Sequence, residues 1–214
     1  DKEIEDVFDY RYYINSESML MLIQKKDGEV WELDIEHNYE DIGIEFGSGL
    51  MCDYRTCTNN CVFCFIDQMP KGMRDTLYFK DDDSRLSFLQ GNYITLTNMK
   101  EKDIDRIIEF RLAPINISVH TTNPELRVRM LHNKFAGTSL KYIDKLYEDE
   151  IPMNGQIVMC KGYNDGAELE RSIKDLLKYA PVMESVSVVP VGITKYRTGL
   201  AKLQLIDKKT AEET

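Results

Sequence analysis

Ile115-Asn116-Ile117-Ser118-Val119-His120 decides how this chain folds. Apolar and polar residues alternate strictly, the period of a β-strand. One face is Ile, Ile, Val and the other is Asn, Ser, His. Moving outward, the pattern recurs. Tyr93-Ile94-Thr95-Leu96-Thr97 sets Tyr, Thr and Thr on one face, and Asn154 and Gln156 place polar positions in the run at 153–160. The intervening segments have helical spacing. Ile104, Ile107, Ile108 and Leu112 share a face of 101–112, with Asn98 as the expected N-cap. Leu140, Ile143, Leu146 and Tyr147 do the same in 138–149, and Leu169, Ile173, Leu176 and Leu177 in 168–179. Strands joined through helices run parallel, with right-handed crossovers. A parallel sheet covered on both faces would be apolar throughout. These strands are not, so the polar face needs a lumen. The reading is an α/β fold, a partial (βα)6 TIM-like barrel with its site at the C-terminal ends of the strands. Its six strands are expected at 50–54, 77–79, 92–97, 115–120, 153–160 and 185–191. An antiparallel sheet with one wet face would need hairpins where helical connections stand.

Residues 1–46 look different. An acidic, aromatic-rich opening carries Phe8, Tyr10, Tyr12 and Tyr13, and two β-compatible runs, 18–24 and 30–35, flank Asp27-Gly28. That is the pattern of a hairpin. The expected organisation is a small β-rich segment at 1–46, the barrel at 47–206 after the flexible Gly47-Ser48-Gly49, and the start of a truncated region at 207–214. The chain does not begin with Met, and it reads as a piece of something longer. A formal net charge of −10 argues against broad nucleic-acid binding, which needs clustered Lys and Arg. No apolar run approaches a membrane span, and no signal peptide is visible.

Cys57, Cys61 and Cys64 cluster in Cys-Thr-Asn-Asn-Cys-Val-Phe-Cys. With five cysteines, three of them together, metal binding in a reducing cytoplasm is the reading rather than a disulfide framework. Thiolates suit iron–sulfur clusters or zinc. Three ligands would leave one corner of a [4Fe–4S] cube open. A structural zinc site would need a fourth ligand, Cys52 or a His. Cys52 and Cys160 otherwise read as small buried apolar residues.

The triplet Cys-x3-Cys-x2-Cys, with Phe63 before its last cysteine, resembles the signature of the radical S-adenosylmethionine (radical SAM) enzymes. The order of a PDZ-like segment, this triplet running on into Phe-Ile-Asp-Gln-Met-Pro-Lys-Gly, then Asp-Asp-Asp-Ser-Arg-Leu and Ser-Val-His-Thr-Thr-Asn-Pro-Glu-Leu-Arg is similar to one bacterial group of them. That group carries a further C-terminal domain of unassigned function. The resemblance implies a [4Fe–4S] cluster on Cys57, Cys61 and Cys64, with SAM on the open iron. It implies reductive cleavage of SAM to a 5′-deoxyadenosyl radical that takes hydrogen from a substrate. It also implies a one-electron donor of flavodoxin or ferredoxin type. The substrate is not legible.

Where the family has Gly-Gly-Glu for the SAM amino group, this chain has Asp81-Asp82-Asp83, so Asp82 or Asp83 is the expected partner. The same three aspartates also read as a solvated acidic turn. The resemblance further implies SAM contacts at Ser118 and His120, with Phe63 beside the cluster and Val191 on the adenine edge. Thr97, Asn98 and Gln156 are candidates to line the mouth. A lone His on a strand is also commonly a hydrogen-bonded structural residue. Arg127 and Arg129 read as a solvated helix face rather than a substrate clamp, although Arg127 matches the pattern of the resembled group. The alternatives without catalysis are a structural zinc protein and a PDZ-like scaffold that binds peptides.

Overall fold

The computed structural model describes residues 2–214. The chain divides into two compact units, Asp1–Tyr54 and Arg55–Thr214.

In the first unit, α1 (Val7–Tyr13) forms where only an acidic, aromatic opening was legible. Its start is fixed from both sides: the Asp6 side chain accepts from the Phe8 N–H at 2.9 Å, and Asp9 reaches back to the Glu5 N–H at 2.8 Å. Strands β1 (Ser18–Gln24) and β2 (Val30–Glu36) pair antiparallel, Ser18 opposite Glu36 and Gln24 opposite Val30. Gly28 takes φ 89° in the turn, a left-handed conformation in which a Cβ would be strained. The expected hairpin is present.

The second unit carries a parallel sheet of order β3-β4-β5. Its strands are β3 (Ile115–Ser118), β4 (Met153–Met159) and β5 (Met183–Pro190). Ile115 pairs with Met153, and Gln156 with Ser187. The other three expected strands do not form among the described residues, and no closed barrel results. At 92–97 the ladder is reduced to one parallel bridge, Ile94 with Ile117. The reason is local. Leu96, the next residue that would face β3, adopts φ 64°, and the Ser118 carbonyl it would bond accepts from Arg127 instead. At 77–79 the chain is coiled into a 3-10 turn, Asp75–Tyr78, with the Tyr78 hydroxyl donating to the Pro70 carbonyl at 2.5 Å. At 50–54 there is no strand, and the chain first bridges at Thr56, antiparallel to Asp81.

The connecting helices are α2 (Ser84–Gln90), α3 (Glu101–Glu109), α4 (Pro124–Leu131), α5 (Lys141–Glu148) and α6 (Gly166–Leu176). A further helix, α7 (Lys208–Glu213), lies near the end of the chain. Ile115, Ile117, Met153 and Ile157 form the sheet's contribution to the core, against Ile104 and Ile107 of α3, Ile143 and Leu146 of α5, and Leu169 and Leu176 of α6. The expected inward faces are partly corrected: Ile173, Leu177 and Tyr147 are exposed. Asn98 does not cap α3, whose N-cap is Lys100, with its N–H donating to Asp103 Oδ2 at 2.8 Å.

The largest correction is Arg127. It is not on a solvated face but fully buried. Its Nε donates to the Val119 carbonyl at 2.8 Å. Its Nη1 donates to Ser139 Oγ at 2.8 Å and to the Ala136 carbonyl. Its Nη2 donates to the carbonyls of Thr95 at 2.8 Å and Ser118 at 2.9 Å. Burial pulls the guanidinium down to about 10, against the opposing pull of Asp82 and Cys61, so it stays charged at neutral pH. Arg127→Met orphans those buried acceptors and is expected to lower unfolding stability by about 3–5 kcal/mol in denaturant titration. Arg129→Met, on the same helix, is expected to cost less than about 0.5 kcal/mol.

Candidate metal centre

The cysteine loop is irregular chain, and other elements hold its shape. The Cys57 N–H donates to the Lys80 carbonyl at 2.8 Å. Asn60 and Val62 N–H groups donate to the carbonyls of Leu131 and Met130, each at 2.9 Å, so the loop rides on the last turn of α4. Val62 packs with Leu126, Met130, Leu131 and Val191 in a second, smaller core. The Phe63 ring lies 4.5 Å from the His120 ring. His120 follows β3 and Val191 follows β5, so the loop sits at the C-terminal end of the parallel sheet. Beyond it, the buried Gln68 side chain donates to the Gly192 carbonyl and accepts from the Thr194 N–H, both at 2.9 Å.

Asn59 is the residue that sequence reasoning missed. It is buried inside the loop. Both its backbone N–H and its Nδ2 reach Cys57 Sγ at 3.4 Å. Nδ2 also donates to Thr95 Oγ1 at 2.9 Å, and Oδ1 accepts from Thr97 Oγ1 at 3.0 Å and Asn133 Nδ2 at 2.7 Å. Asn98 works beside it: its Oδ1 accepts from Thr58 Oγ1 at 2.7 Å and its Nδ2 donates to the Thr56 carbonyl at 2.8 Å. An Asn at the second position after the first cysteine was the available signal, because Asn readily ties a loop to itself.

Burial pushes all three thiols up, and at Cys57 and Cys61 the neighbouring thiols add to it. For Cys61 the causes are burial first, then Cys57 and Cys64. Cys57 is raised by burial and Asp82, against the two Asn59 hydrogen bonds. Cys64 is raised by burial and Asp67. Cys57 and Cys61 thus sense neighbouring thiols, and at Cys61 Lys80 offsets that repulsion only in part. A bound metal centre would supply further positive charge and displace the protons. Lys80 is the neighbouring cation, held 2.6 Å from Asp67. Among the described residues, no three His, Cys, Asp or Glu side chains gather closely enough for a single ion. The donor set, three sulfurs on one loop, fits a cluster in which each sulfur takes a separate iron. Cys160 is buried in the smaller core, where burial pushes its thiol up to about 12. Cys52 is exposed and belongs to the first unit.

The aspartates take different roles. Asp83 caps α2 and is gripped by Arg85, whose Nε and Nη2 donate at 2.9 and 2.6 Å, and it also accepts from the Arg55 N–H at 2.9 Å. Asp82 is buried and accepts from the Thr95 N–H and hydroxyl, both at 2.6 Å. Neither is a solvated turn. Burial pushes the Asp82 carboxyl up to about 6 in spite of those hydrogen bonds.

His120 is buried at φ 63°, and its Nδ1 accepts from the Val158 N–H at 3.2 Å, which leaves the proton on Nε2. Burial, then Arg127, pushes the imidazole down to about 3, so it is neutral. Ser118 is buried at the end of β3, and Gln156 is half-buried on β4, its carbonyl accepting from Val119 and His120 N–H at 2.9 and 3.2 Å. The Val191 N–H donates to the Met159 carbonyl at 3.0 Å. Phe63, Asp82, Thr97, Asn98 and His120 thus touch the loop or its hydrogen-bond network. Asp83 is drawn away into an ion pair.

A parallel sheet with connecting helices and a three-thiol loop at its C-terminal end makes this a mixed α/β protein. The sequence profile of a family described as a radical SAM-like domain matches residues 36–186, and the chain belongs to that family. No curated protein matches it. No helix among the described residues is long and apolar enough to cross a membrane.

The raised Asp82 value fixes a pH dependence. An unfolded aspartate titrates near 3.8, the folded one near 6, so between these values the folded state holds more protons. Its contribution is therefore full below pH 4 and falls as pH rises to 6 and beyond. Unfolding of the metal-free chain at pH 4 and pH 7 should show Asp82→Asn gaining roughly 3 kcal/mol on the wild type across that interval. A pH-independent difference between the two proteins would contradict this account of Asp82.

Proposed function

We propose that this chain is the core of a radical SAM oxidoreductase acting on a substrate still to be found. The observation that carries the proposal is the three-thiol loop at the C-terminal end of a parallel sheet, in a chain of this family. Cys57, Cys61 and Cys64 would hold a [4Fe–4S] cluster, with SAM at the remaining iron. Bound there and reduced by an external one-electron donor, the cluster and SAM would supply reductive cleavage of SAM for hydrogen abstraction from substrate carbon.

The chain's own residues position that chemistry and shield it. Asn59 directs two N–H groups at Cys57, the kind of contact that orients a ligand and tunes its cluster. Phe63 on His120 and Val62 in the smaller core keep water from the loop's inner side. His120 is neutral, so it neither delivers a proton nor repels a cationic sulfonium. Asp82 is the aspartate left for the SAM amino group, because Asp83 is committed to Arg85. Ser118, Gln156, Thr97, Asn98 and Val191 are proposed to line the rest of the site around SAM. The divided organisation, with a PDZ-like segment at 1–46, a partial barrel at 47–206 and a further region beginning at 207–214, belongs to the same proposal. So do a flavodoxin- or ferredoxin-type electron donor and a cytoplasmic setting.

The test is anaerobic reconstitution with iron and sulfide, followed by reduction in the presence of SAM. The expected result is a brown protein that forms 5′-deoxyadenosine and methionine. Cys57→Ala, Cys61→Ala and Cys64→Ala should each abolish both colour and cleavage, whereas Cys52→Ala and Cys160→Ala should keep them. A colourless protein holding one tight zinc per chain would overturn the reading.

A further inference from the structure

A cleft of about 880 Å³ opens beside the cysteine loop, and Thr58 and Thr97 line it. Both threonines belong to the loop's own network, through Asn98 and Asn59 respectively. Its volume is within the range of small-molecule sites, roughly 300–1,000 Å³. The wall is apolar where Leu96, Met99 and Tyr142 reach it, all three buried. Phe135 stands at the rim with 56% of its surface exposed. An aromatic ring left in water at the edge of an apolar cleft is a platform on which a flat ligand can stack.

The charge of this cleft runs against that of the chain. The protein has a formal net charge of −10, yet the cleft is lined by Lys100, Lys134, Lys141 and His132 and by no Asp or Glu. The Lys141 ammonium is engaged 3.2 Å from Glu101 Oε2. The Lys134 ammonium lies 5.0 Å from the centre of the Phe135 ring, so the exposed ring and a positive charge occupy one spot. Low-dielectric walls with one sign of charge concentrate ligands of the opposite sign.

We infer that this cleft binds an organic anion, a ring-bearing molecule whose phosphate or carboxylate pairs with Lys100 and Lys134 while its ring stacks on Phe135. Its assignment as the substrate's binding site rests on the radical SAM reading above. Binding of the anion does not depend on that reading. A macromolecular polyanion fits less well, because the apolar wall of Leu96, Met99 and Tyr142 lies within a concave site.

The test uses matched probes, phenyl phosphate and phenol, titrated calorimetrically into the cluster-loaded full chain. Phenyl phosphate is expected to bind about ten-fold more tightly than phenol and to weaken with added salt. Lys100→Gln and Lys134→Gln should each weaken phenyl phosphate about three-fold, as expected for a partly screened charge. Lys26→Gln, on the hairpin of the first unit, should change nothing. The inference is overturned by the absence of phenyl phosphate binding, by equal binding of phenol, or by lysine variants that leave binding intact. It is also overturned if Lys26→Gln weakens binding as much, which would indicate a general charge effect. SAM cleavage in the same samples, measured without probe, reports separately on the radical reading. Cleavage lost with phenyl phosphate still bound would sink that reading and leave the cleft's ligand standing.

Discussion

The buried guanidinium of Arg127 fixes the geometry on which the site depends. Four main-chain carbonyls, from Thr95, Ser118, Val119 and Ala136, converge on it. Those carbonyls come from the end of β3, the bridged segment beside it and the turn after α4. The bridged segment and the turn after α4 are not held there by a continuous ladder. A planar cation with fixed donor directions can gather several carbonyls at once, which an ammonium cannot do as rigidly. No carboxylate shares the guanidinium, so its charge remains as a fixed positive field beneath the loop, felt by Asp82 and Cys61. Arg127 therefore both closes the fold and biases the electrostatics of the thiol site.

Polar side chains above that cation replace the strand pairing that is missing. Asp82 captures the Thr95 N–H that a ladder would have used, and the Thr95 hydroxyl binds Asp82 in turn. Thr95 also accepts from Asn59, and Asn59 points at Cys57. A buried carboxylate thus reaches the Cys57 sulfur through two side chains. Such a network is stabilising only when every member is satisfied, and partial satisfaction is worse than an apolar core. The irregular backbone at 92–98 and the irregular cysteine loop are consequently two halves of one construction. Each supplies the partners that the other lacks.

This explains what the sequence could and could not show. The alternation at Ile115–Ser118 and Met153–Met159 was legible because both strands bury one face and leave the other polar. The amphipathic helices α3, α5 and α6 were legible for the same reason. The segment at 92–97 has equally good alternation but forms one bridge, because Leu96 turns to φ 64° and Arg127 takes the Ser118 carbonyl that would continue the ladder. That capture joins residues distant in sequence and leaves no local trace. Arg127 was misread because an arginine on a helix is usually solvated. Only the three segments brought together around it make it an interior residue. The triplet of cysteines was legible outright, since its ligands are local. Asn59, which is just as local, was hidden among ordinary turn residues.

The polarity of the strands supports a step that pairing alone does not. A sheet of three parallel strands with a half-polar face would be poorly designed as a closed core. Asn116, Asn154 and Ser185 show how part of that face is accommodated. Asn154 Nδ2 donates to Asn116 Oδ1 at 3.1 Å and Ser185 Oγ to Asn154 Oδ1 at 2.6 Å, a hydrogen-bonded row across the sheet. Farther along the strands, at Ser118 and Gln156, no such row closes the polar face, and this is the end that meets the cysteine loop. The side-chain ladder thus stabilises the base of the sheet, and polar capacity is left at the end where the thiols gather. That division gives the sheet a base satisfied by its own side chains and, at the end that meets the cysteine loop, a mouth where Ser118 and Gln156 stand.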